Sequence, residues 1–289
     1  MEKGNIEWSS PINKIKEPFD SAWENPNVLF GVIRCTNVKY ARNFMEKGQI
    51  KFSTPREWES YAIKGRGDVY EGTKAFACIY DIENVKKLCN RCEGTEQVIH
   101  DNRIIFKYTR SMKLPCLCMY KLNIGNFSVP DREGWQNVHK NIPATYFKDF
   151  ADHKSRAEIS AMPEEERPAI YVINNFPEFK KRLIDRMLLA GCKEKEIEIA
   201  YVSYCDFEKY EYMEIDRPQP KELFVKSKRF ANQNELRIII NTDNKELLKT
   251  LESPIELGNM EDIASISENY FDEGFEFIQA VNAQLVISD

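Results

Sequence analysis

The chain has 289 residues, 30% charged, 42% hydrophobic and 12% aromatic, with a formal net charge of -5. That length buries a sizeable core, and the aromatic share argues against disorder. The charge excludes a chain-wide basic coat for nucleic acid, and without a run of about 18 apolar residues no transmembrane helix is predicted.

The opening Met-Glu-Lys-Gly-Asn-Ile-Glu-Trp has no apolar signal-peptide core, so the expectation is a cytoplasmic protein with free thiols. Residues 1–27 show no periodicity, and Trp8, Phe19 and Trp23 suggest an arm packed on the body. Val28 to Cys35 reads as a buried strand ending beside Arg34. Asn37 is a helix N-cap, Tyr40, Ala41, Phe44 and Met45 follow at helical spacing, and Gly48 suits the helix end. A short strand is predicted over Ile50–Ser53. Thr54 then caps a helix with Pro55 at its first position. Lys64 to Gly72 reads as an ordered loop carrying Asp68, Tyr70 and Glu71.

Further strands are predicted at Thr73–Tyr80, Ile104–Tyr108 and Leu114–Leu122. Residues 123–167 are polar and mixed and read as an insertion within one domain. Ala169–Ile173 is a strand and Pro177–Leu189 a helix with Phe179, Leu183, Met187 and Leu188 inward. Ile197–Cys205 is a strand. The segment from 244 onward holds a helix, a strand near Pro254–Leu257, a helix near Met260 and a final apolar stretch, Phe275–Ile287. No repeat or low-complexity linker divides the chain, which points to a single elaborated α+β domain.

Cys89-x-x-Cys92 and Cys116-x-Cys118 bring four thiols into question as zinc ligands. Structural zinc pairs have two to four residues between the cysteines, and the apolar neighbours of Cys116 and Cys118 favour a buried strand, so no metal is expected.

The stretch Phe230–Ile240 carries the densest chemistry. Read as extended, it places Gln233, Glu235 and Arg237 on one face and Leu236, Ile238 and Ile240 on the other. An edge strand wearing charges for solubility gives the same pattern. Upstream stand Arg34 at a strand end, followed by Thr36, and Phe52-Ser53-Thr54-Pro55 at the next.

In order and residue type these elements resemble the ADP-ribosyltransferase fold in its arginine–serine–glutamate version, built on a split mixed β-sheet. The resemblance rests on Arg34, Ser53, Thr54, Gln233 and Glu235, and the opening strand–helix–glycine–strand is similar to bacterial toxins of that type. More loosely, the Arg-Gly-Asp-x-Tyr-Glu-Gly loop and the late Glu-x-Arg look like a bacterial family of unknown function linked to phage defence. The first resemblance implies NAD as co-substrate, Glu235 as catalytic carboxylate and Gln233 facing the acceptor. It implies Arg34 and Thr36 as dinucleotide contacts and Ser53 and Thr54 as pocket supports, and Phe52, Tyr70 or Phe76 would stack on nicotinamide. The spacing from Ser53 to Gln233 is long, which implies a large insertion, and Ser-Thr-Pro replaces Ser-Thr-Ser.

An oxocarbenium-like state is stabilised by a nearby carboxylate, and an arginine fork matches pyrophosphate. The expected activity is that of a toxin in phage defence or a toxin–antitoxin pair, modifying RNA, DNA or protein, with an antitoxin or chaperone as a partner. The basic segments Lys226–Arg229 and Arg110–Lys113 would suit a nucleic-acid acceptor. Two alternatives stay open: a non-catalytic module binding a nucleotide or phage protein, and a nuclease holding a metal between Asp68, Glu71 and Glu235. Each residue also has an ordinary structural role: a paired strand-end arginine, a helix cap, a loop ion pair.

Overall fold

The computed structural model describes residues 5–9, 14–18, 29–62, 67–123, 134–142, 144–151, 153–267 and 275–286. The protein is α+β, in two compact units. One comprises Met1–Gln49, Tyr120–Leu183 and Leu257–Asp289; the other comprises Ile50–Met119 and Ile184–Glu256. Strands are numbered in chain order.

The first unit contains β1 (Asn5–Ser9), β2 (Lys14–Pro18) and β3 (Leu29–Asn37). The helix Val38–Lys47 follows β3 because Asn37 Oδ1 accepts the Tyr40 N–H at 3.1 Å, and it ends where Gly48 turns left-handed at φ 62°. Its buried side, Val38, Ala41 and Phe44, packs inward, and Phe44 stacks on Tyr171 with ring centres 3.9 Å apart. Tyr171 lies on β9 (Pro168–Ile173), which runs antiparallel beside β3, with β15 (Ala264–Ser267) on its far side. The former insertion region contributes β8 (Gly134–Ile142), which pairs with β16 (Phe275–Val286) in the sheet order β2-β1-β16-β8. A strand there was not expected, because Gly134–Ile142 lacks an apolar alternation. The side chains of Trp8, Phe19 and Trp23 lie outside the described residues.

The second unit holds β4 (Thr73–Cys78), β5 (Thr95–His100), β6 (Arg103–Tyr108) and β12 (Tyr212–Glu214), ordered β12-β4-β6-β5. It also holds β10 (Ile197–Tyr201) and β14 (Glu235–Ile240), antiparallel, with the start of β7 (Cys116–Asn123) on the other side of β14. A parallel pair, β11 (Ser203–Cys205) and β13 (Val225–Ser227), completes it. β7 begins in the second unit and ends in the first.

Several sequence expectations are corrected. Ile50–Ser53 forms two isolated bridges, Ile50 with Ile255 and Ser53 with Cys116, and no strand, so the expected strand near Pro254–Leu257 is also a single bridge. The expected helix near Met260 is a turn at residues 261–263. A helix at Ile82–Arg91, capped by Asp81, went unread because its inward stripe is narrow. Leu188 on the helix Phe176–Leu189 is exposed, whereas Phe179, Leu183 and Met187 are fully buried.

Gly48 is needed twice over: its φ is left-handed, and a Cβ there would lie 2.5 Å from the Gly258 carbonyl oxygen. Gly48→Ala is expected to destabilise the protein by about 1–3 kcal/mol. An unchanged midpoint in urea titration would contradict this reading.

Candidate functional site

The chemistry-bearing residues of the second unit converge on β14. The residues before it are not extended: Lys228–Gln233 forms a 3-10 turn, Asn234 is left-handed at φ 41°, and the strand starts at Glu235. Gln233 is therefore off the strand. Nor is β14 an edge. It lies between β10 and β7, and all six of its residues are buried, so the charges of Glu235 and Arg237 cannot be a solubility device.

Alternation still places Glu235 and Arg237 on one face, where the Arg237 Nη2 donates to Glu235 Oε2 at 2.7 Å. Arg237 is fully buried. Its Nη1 donates to Glu71 Oε1 at 2.6 Å and to the Leu223 carbonyl, and its guanidinium lies 5.1 Å from the Trp58 ring centre. The other Glu235 oxygen accepts from Lys226 Nζ at 2.5 Å. The same ammonium donates to Gln233 Oε1 at 2.6 Å and lies 5.1 Å from the Phe230 ring centre. The backbone is fixed as well, since the Glu235 N–H donates to the Tyr204 hydroxyl at 2.8 Å.

The loop before β4 completes the cluster. Asp68 accepts the Ser227 N–H at 2.7 Å and the Tyr70 N–H at 2.9 Å. It thereby pins the loop to β13, next to Lys226.

Electrostatics separate two of the buried carboxyls, Glu235 and Asp68. Burial works against the charge of Glu235, but the Lys226 ammonium and the Arg237 guanidinium outweigh it and hold the carboxyl down at about 2. Asp68 goes the other way: burial, then the Glu71 carboxylate, push it up against its backbone donors. Burial also pushes the Cys118 thiol up to about 11, despite Arg237, so it is a poor nucleophile.

The sequence-nominated residues divide between the units. Arg34 and Thr36 lie on β3 in the first, in register with Tyr171 and Ala169 of β9. Phe52, Ser53, Thr54, Tyr70, Gln233 and Glu235 belong to the second. Ser53 Oγ accepts the Trp58 indole N–H at 2.8 Å. It thus steadies the ring beneath Arg237, a support for Glu235 two residues removed. Thr54 forms a reciprocal cap with Glu57, its Oγ1 accepting the Glu57 N–H and its own N–H reaching Glu57 Oε2. Phe52 is buried core. The Tyr70 ring stacks on Phe207 at 4.8 Å, and its hydroxyl accepts from Arg103 at 2.6 Å.

The basic segments are partly spent on internal partners: Lys226 as above, and Arg110 on Asp243 and Asn241, both at 2.8 Å. Cys89 lies on the helix Ile82–Arg91 with Cys92 at its end, and Cys116 and Cys118 lie on β7; none of the four is in a disulfide. Among the described residues, no group of three or more His, Cys, Asp and Glu side chains is placed to hold a metal ion. No described helix is long and apolar enough to cross a membrane. No protein-family model, curated protein or solved structure matches this chain.

Sequence reasoning nominated Glu235 and Gln233, and noted Asp68 and Glu71 as members of an ordered loop, as partners of a loop ion pair or as metal ligands. It missed the pairing of Arg237 with Glu71, 166 residues apart, and the inward turn of Lys226. The signal for the first was the period-two spacing of Glu235 and Arg237 within an otherwise apolar strand. Removing Arg237 would strand two buried carboxylates. Arg237→Met is expected to cost about 3–5 kcal/mol in denaturant melts, with Arg237→Lys recovering only part, because one ammonium cannot replace the fork. A loss under about 1 kcal/mol would mean that the ion cluster is not holding the unit together.

Proposed function

We propose that the second unit supplies the catalytic carboxylate of an ADP-ribosyltransferase-like protein that takes NAD as co-substrate and transfers ADP-ribose to a macromolecular acceptor. The observation that carries the reading is the meeting of Glu235 Oε1 and Gln233 Oε1 on one ammonium, at 2.5 and 2.6 Å, with Glu235 held ionised. Cleavage of the nicotinamide–ribose bond leaves its electron pair on nicotinamide and positive charge on the ribosyl carbon. An anion that stays charged at neutral pH and is fixed by its neighbours is suited to stabilise that charge without reorganising. Gln233, at the same ammonium, would orient the acceptor group that attacks the ribosyl carbon and gives up its proton to water. Ser53, acting through Trp58 and Arg237, would keep the carboxylate aimed. The reading requires Lys226 to yield Oε1 to the ribose. It also requires a cation to meet the pyrophosphate. A toxin or phage-defence effector of this kind would need a neutralising partner.

A second reading draws on the saturation of the same cluster. Glu235 is nearly buried and both its oxygens are taken by cations. The cluster would then be a structural clamp in a module that binds a nucleotide or a phage protein without turnover.

Purified protein incubated with labelled NAD and total cell RNA, DNA and protein separates the two. The transferase reading expects nicotinamide release and label transfer, with Glu235→Gln lowering both by about 100-fold or more while a folded melting transition remains. No release from the wild type, or equal release from a folded Glu235→Gln, rejects it.

A further inference from the structure

Another buried carboxyl in the same unit is built unlike Glu235. Glu222 is fully buried, and neither of its oxygens is met by a hydrogen bond of good geometry; the Ser111 Oγ, also fully buried, makes none either, although it lies near enough to the carboxyl to favour its charge. A carboxylate left this way carries an uncompensated desolvation cost, whereas a protonated carboxyl is neutral and brings a donor of its own to a pair otherwise rich in acceptors.

The surroundings do not rescue the charge. Glu222 stands in the 3-10 turn Lys221–Phe224, whose Leu223 and Phe224 pack with Leu114, Cys116 and Ile239. The charged and titratable groups that bear on it are Lys74 from β4, Glu198 from β10 and Tyr108 from β6, with the Ser111 hydroxyl from the turn Ser111–Lys113. The Lys74 ammonium donates to the Ile215 carbonyl at 2.6 Å, and Glu198 is itself bound by Lys221 and by Asn241. The cations nearby are thus engaged elsewhere.

We propose that Glu222 is a buried proton-binding site, neutral in the folded protein, that makes the turn Lys221–Phe224 and the site it supports sensitive to pH. The coupling is short. The carbonyl of Leu223, the next residue, accepts from Arg237, and Val225 then begins the strand that carries Lys226. Ionising Glu222 draws the turn toward water and loosens both cations of the Glu235 cluster. Burial pushes the Glu222 carboxyl up, with the Ser111 hydroxyl and Lys74 working the other way.

The sign follows from linkage. The folded protein holds this proton more tightly than the unfolded chain. The stabilisation is complete below the ordinary glutamate value of about 4.3 and is lost as pH rises through the folded-state value. Glu235 acts oppositely, supplying stability above about 4.3 that is lost as pH falls toward about 2.

The test is urea unfolding of the full chain as a function of pH for wild type, Glu222→Gln and Ser111→Ala. Within the window the wild type is expected to lose up to about tenfold in folded-to-unfolded ratio per pH unit relative to Glu222→Gln. Ser111→Ala keeps the carboxyl and removes the hydroxyl that favours its charged form, so it is expected to extend the window to higher pH. If Glu222→Gln does not fold, the upward extension in Ser111→Ala carries the proposal. Profiles of wild type and a folded Glu222→Gln that run parallel overturn it, as does a Ser111→Ala profile that does not move. Neither readout depends on NAD, so the proposal stands or falls apart from the transferase reading.

Discussion

The second unit depends on one buried guanidinium. Arg237 sits on an interior strand where β14 offers no water, and its charge is met by Glu71 from the loop before β4, by Glu235 two residues away and by the Leu223 carbonyl. Each partner comes from a different stretch of chain. A lone buried cation would be intolerable in that position, so the arginine obliges the loop, the turn and the strand to meet. Trp58 lies along its face and Lys226 balances the second carboxylate, which leaves the cluster nearly neutral except for Asp68. The interaction that organises the unit is thus also the one that aims Glu235.

Much of the local structure was legible from residue types. Asn37 and Gly48 bracket a helix because a side-chain acceptor and a left-handed turn are needed at its two ends, and Thr54 with Pro55 opens another for the same kind of reason. The alternation of β14 correctly put Glu235 with Arg237. What failed was anything set by partners far along the chain. Gln233 was placed on the strand because extension was assumed, whereas the left-handed Asn234 separates it. The strand was read as a possible edge because charges in strands usually face water. Only the buried loop carboxylates and Lys226 explain why here they do not. Lys226 looked like one of a run of surface cations, and nothing in Lys-Ser-Lys-Arg tells which of the four turns inward. Glu222 gave no signal at all, since a glutamate beside a proline-rich loop ordinarily faces solvent.

The candidate site was legible to a similar depth. Its carboxylate and its amide were named from a short motif and do meet at one ammonium. Ser53 meets the Trp58 indole, whose ring lies against Arg237, and not the carboxylate itself. Arg34 and Thr36 belong to the other unit, and their part in any chemistry rests on the resemblance alone.

The second unit is assembled from two stretches, Ile50–Met119 and Ile184–Glu256, with residues of the first unit translated between them. On a ribosome, Glu71 emerges long before Arg237, which lies 166 residues later. Until then the acidic loop has no cation to close on, and the carboxylate at 235 does not yet exist. The cluster can form only after residue 237 has emerged, through contacts of high sequence separation. A nascent chain that has not yet reached Arg237 is chemically silent at this site by construction, and any activity housed there waits for that residue.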